Sequence, residues 1–319
     1  MNKKYLNFRT DMADERFDTY KKVHNLSEID GIKVDSKTED NINITTVDVL
    51  NENGKEALLK DIGRYVTIEI PELSTLEEEE KNEISKKLSL KITEMIGKDK
   101  KNKVLVVGLG NIYVTPDALG PKVVQNIEVT RHLLHLAKDL IDENTRDVSA
   151  ISPGVLGTTG IETYEIVNSV TNVVKPDIII AIDSLASGSI HRIGKTIQLS
   201  NTGITPGAGV RNKRVGLKKE NLGVDVIAVG IPTVVDMATI TNEAIDKLIE
   251  NTKEEITNYS NTKENNLTAE IFEKLENETR YDMIANVLDT QNYIVTPKEV
   301  DSLIEDMANI ISSGINMSM

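Results

Sequence analysis

Four short apolar runs, Val104 to Val107, Val148 to Ile151, Ile178 to Ile182 and Val226 to Val229, are separated by stretches long enough to hold a helix. Runs this short and this continuously apolar suit strands buried on both faces, and strands joined through helical crossovers lie parallel in one sheet. The pattern predicts an α/β fold with a mostly parallel central sheet flanked by helices. A shorter strand is expected over Thr196 to Leu199, and the alternating segments 42–50 (INITTVDVL) and 64–70 (RYVTIEI) add strands on the N-terminal side. Helices are expected over Val123 to Ala137, Ile161 to Val174 and Val234 to Asn251. Another is expected from Ser74 to Gly97, because Ser74 and Glu77 have capping-box spacing, Ile84, Leu88, Ile92 and Met95 share one face, and Gly97 suits a C-terminus. A last helix follows Thr296-Pro297, with an apolar stripe through Val300, Leu303, Ile304, Met307, Ile310 and Ile311.

Aromatic residues make up only 3% of the 319 residues and Trp is absent, so the core is built from Ile, Val, Leu, Ala and Met. Lys and Arg number 37 against 51 Asp and Glu, and the resulting net charge of −14 argues against direct binding to the phosphate backbone of nucleic acid. Cys is absent, which excludes disulfides, thiolate metal sites and a cysteine nucleophile. Residues 1 to 22 hold no apolar core of signal-peptide length, and no stretch approaches the roughly 20 apolar residues of a membrane helix. A cytoplasmic location without a membrane partner is the expectation. The polar residues 1 to 30 read as a surface segment or a removable extension. Residues 252–292, polar and Asn-rich, read as an insertion in an otherwise single α/β domain.

In doubly wound sheets the loops beyond the carboxyl ends of the parallel strands converge on one edge, where ligands and catalytic groups collect. That rule selects residues 108–120, 153–162 and 183–189. Two of these segments carry an aspartate: Asp117 in TPDALGP, and Asp183 directly after the run IIIAI. Two carboxylates facing one cleft repel, which keeps one protonated and supplies both an acid and a base for activating water. An aspartate at a strand end also commonly caps a helix, and position alone does not separate the two roles.

Other constellations are weaker. Gly108-Leu109-Gly110 begins like a dinucleotide fingerprint, but Tyr113 stands where its third glycine belongs, so no nucleotide cofactor is expected. The loop Gly203 to Gly216, with Arg211, Lys213 and Arg214, reads either as an anion cradle or as a solvated loop. His132 and His135 share a helical spacing without a third ligand, so no metal is expected. Ser184 and Ser187 lack a GxSxG elbow.

The segments VVGLGN (106–111), VTPDALGPKVV (114–124), ISPGVLGTTGIET (151–163), VGIPTVVDMATI (229–240) and VTPKEVDSLIEDMANIISSGIN (295–316) resemble the germination protease family of endospore-forming bacteria. The resemblance implies an atypical aspartic endopeptidase, similar in fold to the hydrogenase-maturation proteases, that degrades small acid-soluble spore proteins in the spore core during germination. It places the family's two essential aspartates at Asp117 and Asp183. It implies an inactive precursor that assembles as a homotetramer and removes its own N-terminal propeptide. Arg9-Thr10-Asp11-Met12-Ala13-Asp14-Glu15 is similar to the family's processing site, which puts the cut between Asp11 and Met12, with a propeptide of 1–11 and a peptidase domain of 12–319.

The glycine-rich turn Gly154, Gly157, Thr158, Thr159 and Gly160 is a candidate for backbone N–H donors to an oxyanion. Where the family usually carries an Arg after the second aspartate, this chain reads Ser187-Gly188-Ser189. Asn201 replaces an expected Asp, and GVRN replaces GVGN. Two rival readings follow: a metal-dependent peptidase in which the same carboxylates hold a divalent ion, and a noncatalytic module that binds spore proteins.

Overall fold

The computed structural model describes residues 10–97, 99, 101–136, 139, 141–142, 145–205, 215–258, 283–284, 287 and 293–319. Its elements in chain order are α1 (Ala13–His24), β1 (Ile32–Glu39), β2 (Ile42–Val49), α2 (Glu52–Leu58), β3 (Gly63–Glu69), α3 (Glu78–Ile96), β4 (Val104–Gly108), α4 (Leu119–Gln125), α5 (Arg131–Leu136), β5 (Val148–Ile151), α6 (Leu156–Thr159), α7 (Thr163–Val174), β6 (Ile178–Ser187), β7 (Thr196–Ser200), α8 (Lys219–Leu222), β8 (Asp225–Asp236), α9 (Met237–Asn258), β9 (Ile294–Val295) and α10 (Val300–Ser318).

All the strands join one sheet in the order β1-β2-β3-β7-β8-β6-β4-β5, with β9 added against β8. The four apolar runs form its parallel part, β8-β6-β4-β5, as their burial on both faces requires. The N-terminal strands extend the same sheet through antiparallel pairings of β3 with β7 and of β7 with β8.

Alternation along the strands divides the core. Val104, Val106, Ile180, Ile182 and Val229 face a layer of α3, α4 and α10, in which Leu88, Ile92, Leu119, Ile304, Met307, Ile311 and Ile315 are fully buried. Leu105, Val107, Ile179 and Ala181 face α7 and α8 on the other side. Farther along that second face, α1 and α2 cover Val47, Val49 and Tyr65. Among the described residues no helix is long and apolar enough to cross a membrane.

Several boundaries differ from expectation. Helix α3 begins four residues later than expected, because the capping box is made by Glu77 and Glu80, while Ser74 lies in a separate 3-10 turn, Leu73–Thr75. The expected helix over 123–137 is two helices, α4 and α5. Strands β6 and β8 run well past their apolar cores, to Ser187 and Asp236, so α9 starts at Met237. Strand β1 was not legible, since its apolar alternation is limited to Ile32 and Val34 and its other residues are polar and exposed.

The largest difference is at the N-terminus. Residues read as a polar surface segment include Thr10, Met12, Ala13, Asp14 and Glu15, all buried. Their polar groups find partners far along the chain, which composition does not reveal. Residues up to Asn258 of the polar stretch 252–292 continue α9, and most of the remainder lies outside the described residues.

Candidate active site

Strand β4 delivers the chain to a tight turn that presents Asp117. Beyond Gly108, the Leu109 N–H still donates to the Ile182 carbonyl of β6 at 2.8 Å, so the turn starts in register with the neighbouring strand. Gly110 has φ of +112°, a conformation that disfavours side chains. Pro116 sits in the 3-10 turn Thr115–Asp117, whose fixed φ suits a first helical turn. The Asn111 N–H donates to the Asp117 carbonyl at 3.1 Å and to its Oδ2 at 2.8 Å. From the side of β8, the fully buried Thr233 hydroxyl donates to the Pro116 carbonyl at 2.7 Å, anchoring the turn to a third strand.

Asp183 stands on β6, opposite Gly230 of β8, and is 9% exposed. The Ser184 N–H donates to its Oδ1 at 2.9 Å. Burial pushes the Asp183 carboxyl well above the usual carboxylate range, and the charge of Asp117 pushes it the same way, outweighing the Ser184 N–H. Both aspartates therefore line one cleft, of about 680 Å³, as the strand-end rule anticipated. Burial and the neighbouring charge of Asp117 both favour the protonated form of Asp183.

The same cleft contains Thr10 and Asp11. Asp11 pairs with the far end of β6: its N–H donates to the Ala186 carbonyl at 2.8 Å, and the Ala186 N–H donates to its Oδ2 at 2.9 Å. The Asp11 carbonyl oxygen accepts from Lys60 Nζ at 2.6 Å and from Gln198 Nε2 at 2.9 Å. The next peptide nitrogen, Met12 N, donates to Thr10 Oγ1 at 2.9 Å, and Ala13 N donates to Gln198 Oε1 at 2.8 Å. Arg16 reaches back to the Thr10 carbonyl through Nε (3.2 Å) and Nη2 (3.0 Å). Met12 is fully buried. The Asp11–Met12 bond is thus held on both sides.

A cluster of charge fixes the start of α1. Arg192 binds Asp14 at 2.6 Å, Glu15 at 3.4 Å and Glu69 at 3.2 Å. The Gly188 N–H donates to Glu15 Oε2 at 2.8 Å, and the Thr10 hydroxyl donates to the same oxygen. Burial raises the Glu15 carboxyl despite these donors. Lys60 as a whole is only half-buried, but loss of water around its ammonium outweighs the attraction of Asp11 and brings its pKa down to about 8.

The glycine-rich turn reaches the cleft at one edge. Gly157 and its neighbour Val155 line the cleft, while the N–H groups of Thr158 and Thr159 donate to the Val155 carbonyl and that of Gly160 donates to the Leu156 carbonyl, all within the turn. Gly154 takes φ of +73° at the entrance to the turn. Ser187 is buried, its hydroxyl donating to the Ser189 carbonyl, and Asn201 Oδ1 accepts the Arg64 N–H at 2.8 Å. Most of the loop Gly203 to Gly216, including Arg211, Lys213 and Arg214, lies outside the described residues. Lys60, Gln198, Arg16 and Arg192 were not singled out from sequence. Only Gln198 left a signal there, as an uncharged polar residue inside the apolar strand TIQLS.

Comparison with known proteins finds relatives over nearly the whole chain. The germination protease of Clostridium perfringens strain 13 is 46% identical over 316 residues, covering 98% of this chain and 95% of that one. The germination protease of Clostridium tetani is 44% identical, covering 98% and 96%. Among solved structures, a [NiFe] hydrogenase maturation protease, HycI from Thermococcus kodakarensis, aligns with 44% of this chain and 80% of its own at 22% identity and a TM-score of 0.30, a likeness too small to bear on activity. A family model described as germination protease matches residues 9–273 and 251–319, and the chain belongs to that family.

Proposed function

We propose that this chain is a self-processing aspartic endopeptidase that cuts its own Asp11–Met12 bond and then degrades small acid-soluble spore proteins in the germinating spore. The observation that carries this reading is the presence of Asp11 in the cleft of Asp117 and Asp183, the last with its carboxyl raised by burial and by its partner's charge. Membership of the germination protease family supports a protease role in spores.

In the proposed reaction, Asp117 is the ionised partner and takes a proton from the attacking water, while Asp183 holds the pair's proton and delivers it to the departing amine. The backbone donors from Asn111 and Ser184 fix the two carboxylates in position before substrate arrives. No metal or organic cofactor takes part. While Asp11 occupies the cleft no other peptide can enter, which makes the uncut chain an inactive precursor. The mature enzyme works as a homotetramer, which light scattering would register as four times the chain mass.

The reading is tested by incubating wild type, Asp117→Asn and Asp183→Asn with a purified small acid-soluble spore protein and following its fragments. Wild type is expected to cut it, with each variant slower by at least about 1,000-fold. Substrate cutting by both variants at the wild-type rate would place the chemistry elsewhere.

A further inference from the structure

The two aspartates account for an acid and a base but leave the carbonyl oxygen of the cleaved bond unaccounted for. As water adds to a peptide carbonyl, negative charge gathers on that oxygen, and donors already aimed at it lower the barrier more than any that must reorganise. In the glycine-rich turn the N–H groups of Thr158, Thr159 and Gly160 are used within the turn.

The oxygen is instead met by two side chains from elsewhere. Lys60 follows α2, and its Nζ lies 2.6 Å from the Asp11 carbonyl oxygen. Gln198 comes from β7, with Nε2 at 2.9 Å from the same atom. Sheet register explains why Gln198 is available. It pairs with Gly230 of β8, which pairs on its other side with Asp183 of β6. Gln198 and Asp183 therefore stand in one row, two strand spacings apart, roughly 10 Å between backbones. Gly230 contributes no side chain between them, and Leu185 packs into the space that a Cβ there would take. The Oε1 of the same Gln198 amide accepts the Ala13 N–H at 2.8 Å, so this one side chain grips the chain on both sides of Met12.

We propose that Lys60 and Gln198 are the oxyanion donors of the peptidase, holding the carbonyl oxygen of Asp11 while the bond to Met12 is hydrolysed. The proposal rests on the reading of Asp11–Met12 as the bond that is cut. Water oxygen bonds to the Asp11 carbonyl carbon, the former carbonyl oxygen takes up negative charge between Nζ and Nε2, and that charge returns to re-form C=O as the C–N bond breaks. One water proton leaves through the base and the amine of Met12 gains one from the acid, and the second water proton passes from the new Asp11 carboxyl to that amine, leaving a carboxylate and an ammonium. Lys60 and Gln198 stay with the mature chain, so the same two donors serve every later substrate.

The charge on Lys60 gives the role a distinctive readout. The titratable and charged groups facing its ammonium are Asp11, Asp14, Asp61 and Arg16, and it lies 5.7 Å from the centre of the Tyr65 ring. Burial among them lowers Lys60 to about 8, so its proton is lost, and its strength as a donor with it, as pH rises through that value.

The test is the rate at which full-length chains cut Asp11–Met12, read by intact mass from pH 6 to 9.5, for wild type, Lys60→Met, Lys60→Arg, Gln198→Leu and Asp117→Asn. Lys60→Met is expected to be about 100-fold slower and to lose the decline above pH 8. Lys60→Arg, which stays charged, regains part of the rate without that decline. Gln198→Leu is slower and keeps it. Wild-type rates in Lys60→Met and Gln198→Leu, or a cut at another bond, would overturn the proposal and leave the two residues as a latch on the N-terminal segment. If Lys60→Met does not fold, Lys60→Arg and Gln198→Leu carry the same comparison. Should Asp117→Asn cut at the wild-type rate while Lys60→Met is slow, the aspartate reading fails and the assignment of Lys60 stands. The reverse result removes Lys60 alone.

Discussion

Gly110 lies so close to Asp117 that a Cβ on it would sit 2.0 Å from the Asp117 carbonyl oxygen and 3.2 Å from the carboxylate Oδ1. The position of the aspartate is therefore set by the absence of a side chain seven residues earlier. Gly108 and Gly120 make a second such contact, a Cβ on Gly108 falling 2.1 Å from the Gly120 carbonyl oxygen, so α4 packs directly on the end of β4.

Gly110→Ala should displace the Asp117 turn. Backbone strain at φ +112° and the overlap together cost about 1–3 kcal/mol of stability. Activity should fall by about 100-fold or more, because small misplacements of a reacting group are expensive. Turnover assays beside thermal melts check this, with activity expected to fall far more than the folded fraction.

Asp183→Asn should stabilise the protein at neutral pH. The Asp183 carboxyl is held well above its unfolded value, so its favourable contribution is fully present below the unfolded pKa of about 3.9 and is lost as pH rises through the folded one. Asparagine does not titrate. The variant's melting temperature should therefore exceed that of wild type at pH 7.5, by about 2–4 °C for each kcal/mol relieved, with the gain shrinking towards pH 4. Melts at the two pH values read the difference directly.

Arg192→Met should loosen the start of α1. It removes the cation shared by Asp14 and Glu15, which are only 5% and 8% exposed, and leaves two buried carboxylates facing each other. A loss of about 3 kcal/mol is expected, since breaking a buried pair from one side strands the other charge. Hydrogen exchange should show faster exchange confined to residues 10–24, and the Asp11–Met12 bond should be cut more slowly.

The strand ends that carry the aspartates were readable because β4 and β6 are buried on both faces and so appear as unbroken apolar runs. The placement of Thr10 to Glu15 was not. Asp14 meets Arg192, Glu15 meets the Gly188 N–H, and the Ala13 N–H meets Gln198, partners 173 to 185 positions away. Lys60 gave no signal, since a single Lys after a short helix is ordinary. Strand β1 escaped because only Ile32 and Val34 of its residues pack against the core, too short an alternation to mark a strand.

Strong chelators should leave activity unchanged. The proposed chemistry assigns water activation to a carboxylate pair, one member of which holds a proton, a state that competes with metal ligation. Dialysis against excess EDTA before the assay checks this, and loss of activity restored by a divalent ion would favour the metal-dependent reading.

The central claim, that Asp117 and Asp183 hydrolyse the bond seated in their own cleft, is tested most directly by intact-mass spectrometry of the full-length chain during self-processing. The account predicts that wild type yields a product beginning at Met12 together with a fragment ending at Asp11, and that Asp117→Asn and Asp183→Asn stay whole under the same conditions. A product of either variant beginning at Met12 and formed at the wild-type rate would contradict it.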